Sequence, residues 1–392
     1  MDDLLACLGR LRCGRRLLDA AVGQDGVHLV GGAVRDLLLG REPRELDVAV
    51  EGDVGALARR LGAEATLHDR FGTATVQSGG CRFDLAATRA ETYARAGALP
   101  DVRPAGIDAD LRRRDVTVNA LALDLGSGAL RAVEHAREDL AAGRLRVLHD
   151  ESFVDDPTRL WRIARYAARL GFEPEDRTAA LAAKAVDAGA LQTVSGARIG
   201  NELRLALAEP DPIAALASAA AFGLAPWLAP DRERAAAALA LLPPEGRAEL
   251  LVLAASLALP AEAADMLLAR LDFTAAERAT LRACAGARDL AAAMLEAAPR
   301  PSALARVLRG QPVEAVALAG ADGAAEPARR WLDDVRHVAL EIDGDDLLAA
   351  GVPRGREVGA RLAAALDLRL DGELRPGRDA ELAAALRAPV DS

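Results

Sequence analysis

The chain has 392 residues, of which 51% are hydrophobic but only 3% aromatic, and its formal net charge is −10 at pH 7. This length accommodates two or three domains with a substantial core, and the acidic balance excludes a protein whose whole surface is positive. Nucleic acid stays possible as a partner, because a local stripe of arginine can bind phosphate on an acidic molecule.

Cysteine usage and the apolar segments bear on the compartment. The four cysteines show no CxxC spacing, which argues against a zinc site, and a disulfide framework is not expected in so long a chain. The first residues lack the pattern of a signal peptide, and the apolar runs are too short to span a bilayer. We therefore expect a soluble, cytoplasmic protein with reduced cysteines, no membrane association and no evident protein partner.

In chain order, the sequence predicts two differently built parts. An amphipathic helix over residues 1–20 is followed by short apolar runs that Gly and Asp separate, as is typical of strands. The predicted strands cover residues 26–30, 46–50, 73–77, 81–87 and 116–125. From about Phe153 onward, only segments with helical spacing remain. The pattern predicts a mixed α/β head at 1–147, with a small mixed sheet, and an all-helical remainder.

Acidic residues stand at matching positions of two predicted strands. Alternate residues of a strand share a face, so Glu45 and Asp47 point one way while Leu46 and Val48 point into a core. Asp84 occupies the equivalent position in "CRFDLAA". If these strands are neighbours, three carboxylates converge, and they repel one another unless cations lie among them. A pair of Mg²⁺ ions is the usual solution and suits phosphoryl or nucleotidyl transfer.

Two glycines precede these acids. Gly31 and Gly32 stand between the strand "GVHLV" and the helical run "AVRDLLLG", where small residues allow backbone N–H groups to close on a phosphate. A tight turn is the commoner reason for paired glycines, and a solvated strand face is the commoner reason for alternating acids. Together the two patterns favour a nucleoside triphosphate, with its phosphates at the glycines and its metal ions at the acids.

Further polar motifs follow in a fixed order along the chain. The series is "GGAVRDLLLG…ELDVAV", "DLRRRDVTVNALAL", "FVDDPTRLWRIARYAARLGF", "VSGARIGNELRLAL" and "IDGDDLLAAGVPRGREVGARL". This series resembles the class II tRNA nucleotidyltransferases and bacterial poly(A) polymerases, a branch of the polymerase-β-like nucleotidyltransferases. The resemblance implies an α+β nucleotidyltransferase head at 1–147, a helical neck that recognises the base at 148–215, and a helical body and tail that bind tRNA at 216–392.

The resemblance also implies roles for individual residues. It makes Glu45, Asp47 and Asp84 the catalytic and metal-binding acids. The residues implied for nucleotide binding are Gly31, Gly32, Arg35, Asp36, Arg113, Arg114, Asp115, Asn119, Asp156, Arg159 and Arg162. Asp156 and Arg159 would hydrogen-bond the Watson–Crick edges of C and A. Their plainer explanation is a helix start, with Asp156 as the N-cap before Pro157, and a solvated arginine face.

The function implied is template-independent addition of CMP and AMP to the tRNA 3′ end, from CTP and ATP, with Mg²⁺ as cofactor and pyrophosphate as product. Enzymes that add only CC or only A, and poly(A) polymerases, share these motifs. An alternative of another class is a catalytically weak tRNA-binding protein, since Glu45 stands where the family usually has Asp. The Gly- and Pro-rich segment between Glu91 and Asp110 is expected to be a mobile loop used in the change from C to A.

Overall fold

A computed structural model describes residues 3–62, 64–68 and 72–388. The chain divides into two compact units, Met1–Pro226 and Trp227–Ser392. The finer boundaries expected after residues 147 and 215 are not tested by this division and stay predictions. Within the described ranges, no helix combines the length and apolar character that a membrane crossing needs.

The first unit is built on a mixed sheet of seven strands in the order β3-β4-β5-β2-β1-β8-β9. Strands β2 and β5 are parallel, whereas the other neighbours in this sheet are antiparallel. Two small sheets pair β6 with β7 and β10 with β11. The strands are β1 (Val27–Val30), β2 (Leu46–Val50), β3 (Glu64–His68), β4 (Thr73–Ser78), β5 (Cys81–Ala87), β6 (Arg89–Thr92), β7 (Asp101–Pro104), β8 (Leu121–Asp124), β9 (Leu130–Ala132), β10 (Arg144–Leu145) and β11 (Glu173–Pro174).

Helices cover the sheet and continue beyond it. Those of the first unit are α1 (Leu4–Arg10), α2 (Arg12–Ala21), α3 (Gly32–Leu38), α4 (Val54–Leu61), α5 (Ile107–Arg112), α6 (Ala136–Ala142), α7 (Ser152–Asp155), α8 (Thr158–Leu170), α9 (Asp176–Asp187), α10 (Gly196–Leu207) and α11 (Pro212–Ala221). Those of the second unit are α12 (Arg232–Leu239), α13 (Ala248–Ser256), α14 (Ala261–Arg270), α15 (Ala275–Ala285), α16 (Ala287–Ala297), α17 (Pro301–Val307), α18 (Val313–Ala319), α19 (Ala325–Asp333), α20 (Gly344–Ala349), α21 (Arg356–Leu370) and α22 (Arg378–Arg387).

The two faces of β2 and β5 differ as the alternation of their residues predicts. Leu46, Val48, Phe83 and Leu85 are buried in one hydrophobic cluster with residues of α2 and α4. Ala49 belongs to a separate small cluster with residues of α5 and β8. Burying one face in this way fixes the register of the strands, because a shift by one residue would exchange the two faces.

Three local expectations differ from the structure. The strand predicted over 116–125 begins only at Leu121, because residues Thr117–Asn119 form a 3₁₀ turn. The Thr117 hydroxyl donates to Asp139 of α6 at 2.8 Å, a contact with a distant segment that the strand pattern does not show. The segment expected to be a mobile loop, between Glu91 and Asp110, instead includes the connection and second strand of the β6–β7 hairpin and the start of α5, while its mobility stays a prediction. The part described as all-helical also includes the two-residue strand Glu173–Pro174.

The expectation of four reduced cysteines was wrong as well. Cys13 of α2 and Cys81 at the start of β5 form a disulfide. These residues are 68 positions apart in sequence, so spacing gave no sign of the pair. Arg12 of the same helix donates to the carbonyl of Gly79 in the β4–β5 turn, and Arg16 donates to Ser78. Helix α2 is therefore attached to this hairpin by one covalent bond and two hydrogen bonds.

Candidate active site

Two of the three predicted acids face each other across neighbouring strands. Asp47 of β2 is in register with Asp84 of β5. The pKa of Asp47 is raised to about 6, chiefly by burial and next by the negative charge of Glu45. Asp84 raises the pKa as well, and the positive charges of Arg114 and Arg82 lower it only in part. Asp47 therefore lies in a site where negative charge is incompletely compensated.

Asp84 has two protein partners. Its Oδ1 accepts from the Thr75 hydroxyl at 2.7 Å, and its Oδ2 accepts from Nε of Arg82 at 3.1 Å. The Arg82 side chain is largely exposed, so the guanidinium group that pairs with Asp84 is in contact with solvent. Such an exposed ion pair contributes little stability and is readily exchanged for another cation.

The carboxylate groups at this site meet the requirements of a hard divalent cation only in part. Carboxylate oxygens are the ligands that Mg²⁺ prefers, and the raised pKa of Asp47 indicates that a further positive charge would be accommodated. Glu45 precedes β2 and is exposed. Among residues 3–62, 64–68 and 72–388, no three or more His, Cys, Asp or Glu side chains are grouped to hold a metal. A magnesium site of Glu45, Asp47 and Asp84 stays a prediction.

Asp47 lines two cavities in which acids and arginines face the same space. One, of about 350 Å³, is lined on its acidic side by Glu45 and Asp47, with Gly32 at the turn before α3. Its arginines are Arg35, Arg44, Arg165 and Arg169. The other, of about 360 Å³, is lined by Asp47, Asp84 and Asp110 together with Arg113 and Arg114. A ligand that is both metal-bound and polyanionic would find partners of each sign here.

Gly31 brings the chain close to an arginine. Its φ is 68° and its ψ is −133°, a conformation open essentially to glycine alone. A Cβ atom here would stand 2.7 Å from Nη1 of Arg114. The Gly31 N–H donates to the carbonyl of Leu121, so this amide serves the fold. Beside it, a Cβ on Gly32 would meet Arg35 at 3.3 Å.

Arg35, Asp36 and Asn119 form one buried network. Nε and Nη2 of Arg35 donate to Asp36 Oδ1, and Nη1 donates to Asn119 Oδ1 at 2.6 Å. The second oxygen of Asp36 accepts from Arg169 at 3.3 Å. The network ties α3 to the 3₁₀ turn and to α8, and all four side chains line the 350 Å³ cavity.

Two arginines that follow α5 are hydrogen-bonded to carboxylate side chains. Arg113 donates to Asp110 and Glu91, and Arg114 donates to Asp110. Asp115 is buried; burial alone would raise its pKa, but Arg162 and the Tyr166 hydroxyl outweigh that effect and hold the pKa below its usual value. Asp115 is thus ionised and links the head to α8.

Asp156 and Arg159 lie at the start of α8 and are both buried. The helix begins at Thr158, so Asp156 lies one residue outside the N-cap position expected for it. Its Oδ1 accepts from the Thr158 N–H and hydroxyl and from Arg198 at 2.8 Å, while its Oδ2 accepts from no described residue. Arg159 donates to the Ser152 hydroxyl and the Arg113 carbonyl.

Ion pairs form a ladder between α8 and α10, and of its members only Arg162 was predicted as part of the site. Its members are Arg162, Arg165 and Arg169 of α8, Glu202 of α10, and Glu209 just beyond α10. Arg162 donates to Glu202, and Arg165 donates to Glu209, each at 3.0 Å. The signal was present in the sequence, since these arginines recur at helical spacing and the two glutamates are seven residues apart.

Comparison with known proteins identifies the head. The family described as Poly A polymerase head domain matches residues 27–146. The A-adding tRNA nucleotidyltransferase of Geobacter sulfurreducens is 35% identical over 395 residues, which cover 92% of this chain and 45% of that protein. The CC-adding tRNA nucleotidyltransferase of Deinococcus radiodurans is 43% identical over 192 residues, which cover 47% of this chain and 50% of that protein.

The chain therefore spans about half the length of these curated relatives. A solved complex of a CCA-adding enzyme with ATP matches with a TM-score of 0.78 and 28% sequence identity, over 98% of both chains. Residues 27–146 belong to the Poly A polymerase head domain family, and the chain is similar in sequence to tRNA nucleotidyltransferases and in fold to a CCA-adding enzyme.

Proposed function

We propose that this protein adds CMP and AMP to the 3′ end of tRNA, using CTP and ATP and releasing pyrophosphate, and so completes a CCA end. The observation that carries this proposal is the register of Asp47 with Asp84 between two arginine-lined cavities. The names of the relatives support tRNA as the acceptor and ATP as one donor. We expect the protein to act in the cytoplasm.

The reaction follows from the charges in the site. The RNA 3′-hydroxyl attacks the α-phosphorus of the nucleotide, its proton is lost, and the bond to pyrophosphate breaks. Asp47 and Asp84 would hold Mg²⁺, with Glu45 beside them, and the ion supplies stabilisation of the charge that develops on phosphate oxygens. Arg165 and Arg169 face the same cavity and suit the departing pyrophosphate, because guanidinium binds phosphate oxygens in pairs.

Base selection is assigned to the start of α8. Three donors fix Oδ1 of Asp156, and its Oδ2 is left to accept from the amino group that C and A share. Nη1 and Nη2 of Arg159 each donate one N–H to a protein acceptor. The remaining N–H groups of this guanidinium are left to donate to the ring nitrogen of the base. G and U carry a carbonyl where C and A carry the amino group, so Asp156 would repel them.

A second candidate is addition of A alone. The A-adding relative is similar along 92% of this chain, whereas the match to the CC-adding relative covers 47%. The motifs in the head do not separate these specificities. An A-adding enzyme would use the same acids and the same base-reading pair, on a tRNA that already ends in CC.

An incorporation assay separates these activities. The acceptors are one tRNA transcript that lacks CCA and one that ends in CC, each offered labelled CTP alone, ATP alone, and both, with Mg²⁺. CCA addition predicts two C and one A on the first acceptor and one A on the second. An A-adding enzyme labels only the second acceptor, a CC-adding enzyme adds only C to the first, and a poly(A) polymerase extends with ATP beyond one residue.

Absence of any incorporation would contradict the proposal, provided that the protein binds the transcript and is folded. In that case Glu45→Asp tests the remaining alternative, a tRNA-binding protein whose acid site is weakened. Recovery of transfer in Glu45→Asp would assign the loss to the longer side chain. Omission of Mg²⁺ with a chelator present tests the cofactor, and transfer at an unchanged rate would refute it.

A further inference from the structure

A cavity of about 760 Å³ lies wholly within the second unit, between the end of α13, helices α14 and α15, and the start of α16. This volume falls in the range of pockets that bind small organic ligands. None of its lining residues belongs to the motifs assigned to nucleotide transfer. Nucleotide transfer in the head therefore does not account for this cavity.

Four arginines line this cavity against a single acid. They are Arg234, Arg278, Arg282 and Arg288, and the acid is Asp265. One oxygen of Asp265 accepts from Arg278 at 2.9 Å and the other accepts from Arg282 at 2.7 Å. The hydrogen bond from Arg282 holds the pKa of Asp265 below its ordinary value, so this carboxylate is ionised and orients both guanidinium groups.

The remaining arginines complete a positive lining. Arg234 donates through two nitrogens to Asp322, each at 2.7 Å, and Asp322 does not line the cavity. Arg288 makes no side-chain hydrogen bond or ion pair with a described residue. Nε of Arg278 is buried without a partner in the part of the chain that the structure describes. Arginine N–H groups therefore outnumber the carboxylate oxygens in the lining of this cavity, although the chain as a whole has a net charge of −10.

Two helices begin at the same cavity. Pro260 and Ala261 at the start of α14, and Gly286 at the start of α16, are lining residues. Neither helix has a side-chain hydrogen bond at its N-cap, so first-turn amides are left for another acceptor. Glu262 and Asp289 lie in those first turns but do not line the cavity. The N-terminus of α14 therefore adds to the attraction of the guanidinium groups for an anion, whereas at Gly286 the C-terminal end of α15 offsets the N-terminal end of α16.

The rest of the lining is apolar. Leu268, Leu281 and Cys284 are buried at this wall, with Leu257 beside them. Burial raises the pKa of the Cys284 thiol to about 12, so this cysteine is neutral and adds no charge. A bare inorganic anion would leave this apolar surface in contact with water, whereas a ligand with an organic body would cover it.

We propose that this cavity is a binding site for a small phosphorylated organic ligand of the mononucleotide class. The phosphate would lie at the arginines and the helix starts, and the base and sugar would cover the leucines. A recessed cavity of this size suits a compact ligand better than an RNA backbone, which presents its phosphates along an extended surface. The proposal stands independently of the function proposed for the head.

Hydrogen exchange of the full chain with ADP as the probe tests the proposal. ADP should slow exchange in α14, α15 and the first turn of α16. The double variant Arg282→Gln/Arg288→Gln should lose this protection, with an affinity at least about tenfold weaker, since each lost charged hydrogen bond is costly. Arg309→Gln is the matched control, because Arg309 is exposed and does not line the cavity.

Arg288→Gln alone keeps the test available if the double variant does not fold, because that side chain is exposed and gives up no hydrogen bond or ion pair with a described residue. The proposal is overturned if ADP leaves these helices unprotected at saturating concentration, or if the variants and the wild type are protected equally. Protection by tRNA but not by ADP would also overturn it, since the cavity would then be part of an RNA-binding surface.

Discussion

Asp47 is the residue at which burial and charge conflict most directly. Its pKa is raised from 3.8 to about 6, so the folded state binds this proton more tightly than the unfolded state does. The stability that a neutral Asp47 allows is complete below the unfolded pKa and is lost as the pH rises through about 6. Ionised Asp47 is therefore a cost to folding at neutral pH.

Asp47→Asn should remove that cost. The variant is expected to be more stable than the wild type at neutral to alkaline pH, by on the order of 3 kcal/mol, since the pKa rises from 3.8 to about 6 and one pKa unit corresponds to about 1.4 kcal/mol. At a pH of about 3, below the unfolded pKa of 3.8, the two proteins should be nearly equally stable, because Asp47 is then mostly neutral in the folded and the unfolded state. Urea unfolding in metal-free buffer at both pH values measures this, and an equal difference at the two values would refute the raised pKa.

Gly31 offers a second test at the scale of one residue. Gly31→Ala should destabilise the protein by about 1–3 kcal/mol, because it forces a non-glycine residue into this backbone conformation and its Cβ meets Arg114. Gly40→Ala is the control, since its φ is 69° but nothing lies within 4 Å of its Cβ. Thermal unfolding should show a clearly larger loss for Gly31→Ala, and equal losses would show that the contact with Arg114 is unimportant.

Residue patterns predicted part of this site, for identifiable reasons. Period-two alternation placed Asp47 and Asp84 on the non-core face, and pairing of the two strands then brought them into register. The same pattern could not show that Glu45, outside the strand, is exposed. It also could not show that the Gly31 amide is used by Leu121, because that partner comes from a distant strand.

At the scale of elements, the attachment of α2 to the β4–β5 hairpin is the feature that sequence patterns did not reveal. The Cys13–Cys81 bond closes a loop of 68 residues, and in the chain-entropy account such a loop is worth about 4 kcal/mol. Cys13→Ser, or reduction of the wild type, should therefore lower the melting temperature. Reductant should have no further effect on Cys13→Ser.

Cys7→Ser provides the control for the disulfide, since Cys7 is a free cysteine in α1. This variant should respond to reductant as the wild type does. If reductant leaves the melting temperature of the wild type unchanged, the bond contributes nothing to stability in solution.

The ladder between α8 and the end of α10 is the second element-scale feature. Glu209 is buried, accepts from Arg165 at 3.0 Å and from Arg44 at 3.3 Å, and lies beside Arg169. Glu209→Gln should cost about 3 kcal/mol, because it removes a buried carboxylate that Arg44, Arg165 and Arg169 share as a counter-charge. ATP should raise the melting temperature of this variant more than that of the wild type, since the phosphates replace the missing charge.

The matched control for this ladder is Arg59→Gln, which breaks an exposed pair with Asp53. That change should cost less than about 1 kcal/mol, as is usual for surface pairs. Equal losses in the two variants, or an equal response to ATP, would show that the ladder is ordinary surface charge. Helical spacing marked the arginines in advance, but which of them are buried depends on how α8 packs against α10.

At the scale of the whole molecule, composition and motif order predicted an α+β head followed by helices, and the family and fold comparisons agree. The division after Pro226 could not be read from the sequence, because strand signals end long before it. The first unit therefore contains both the sheet with its acids and the helices α8 and α10 that face them. Compact packing, rather than the change from strand to helix, sets this boundary.

The central claim is that the Asp47–Asp84 pair carries nucleotide transfer. The most direct measurement is the single-turnover rate of labelled nucleotide incorporation into tRNA by the wild type, by Asp84→Asn, and by Asp108→Asn. Asp108 is an exposed acid of the same head, and among the residues that the structure describes it pairs with Arg131 alone, at 3.4 Å. We predict a loss of at least about a hundredfold for Asp84→Asn, since it removes charge stabilisation at the reacting phosphate, and no change for Asp108→Asn. A folded Asp84→Asn that transfers nucleotides at the wild-type rate would contradict the account.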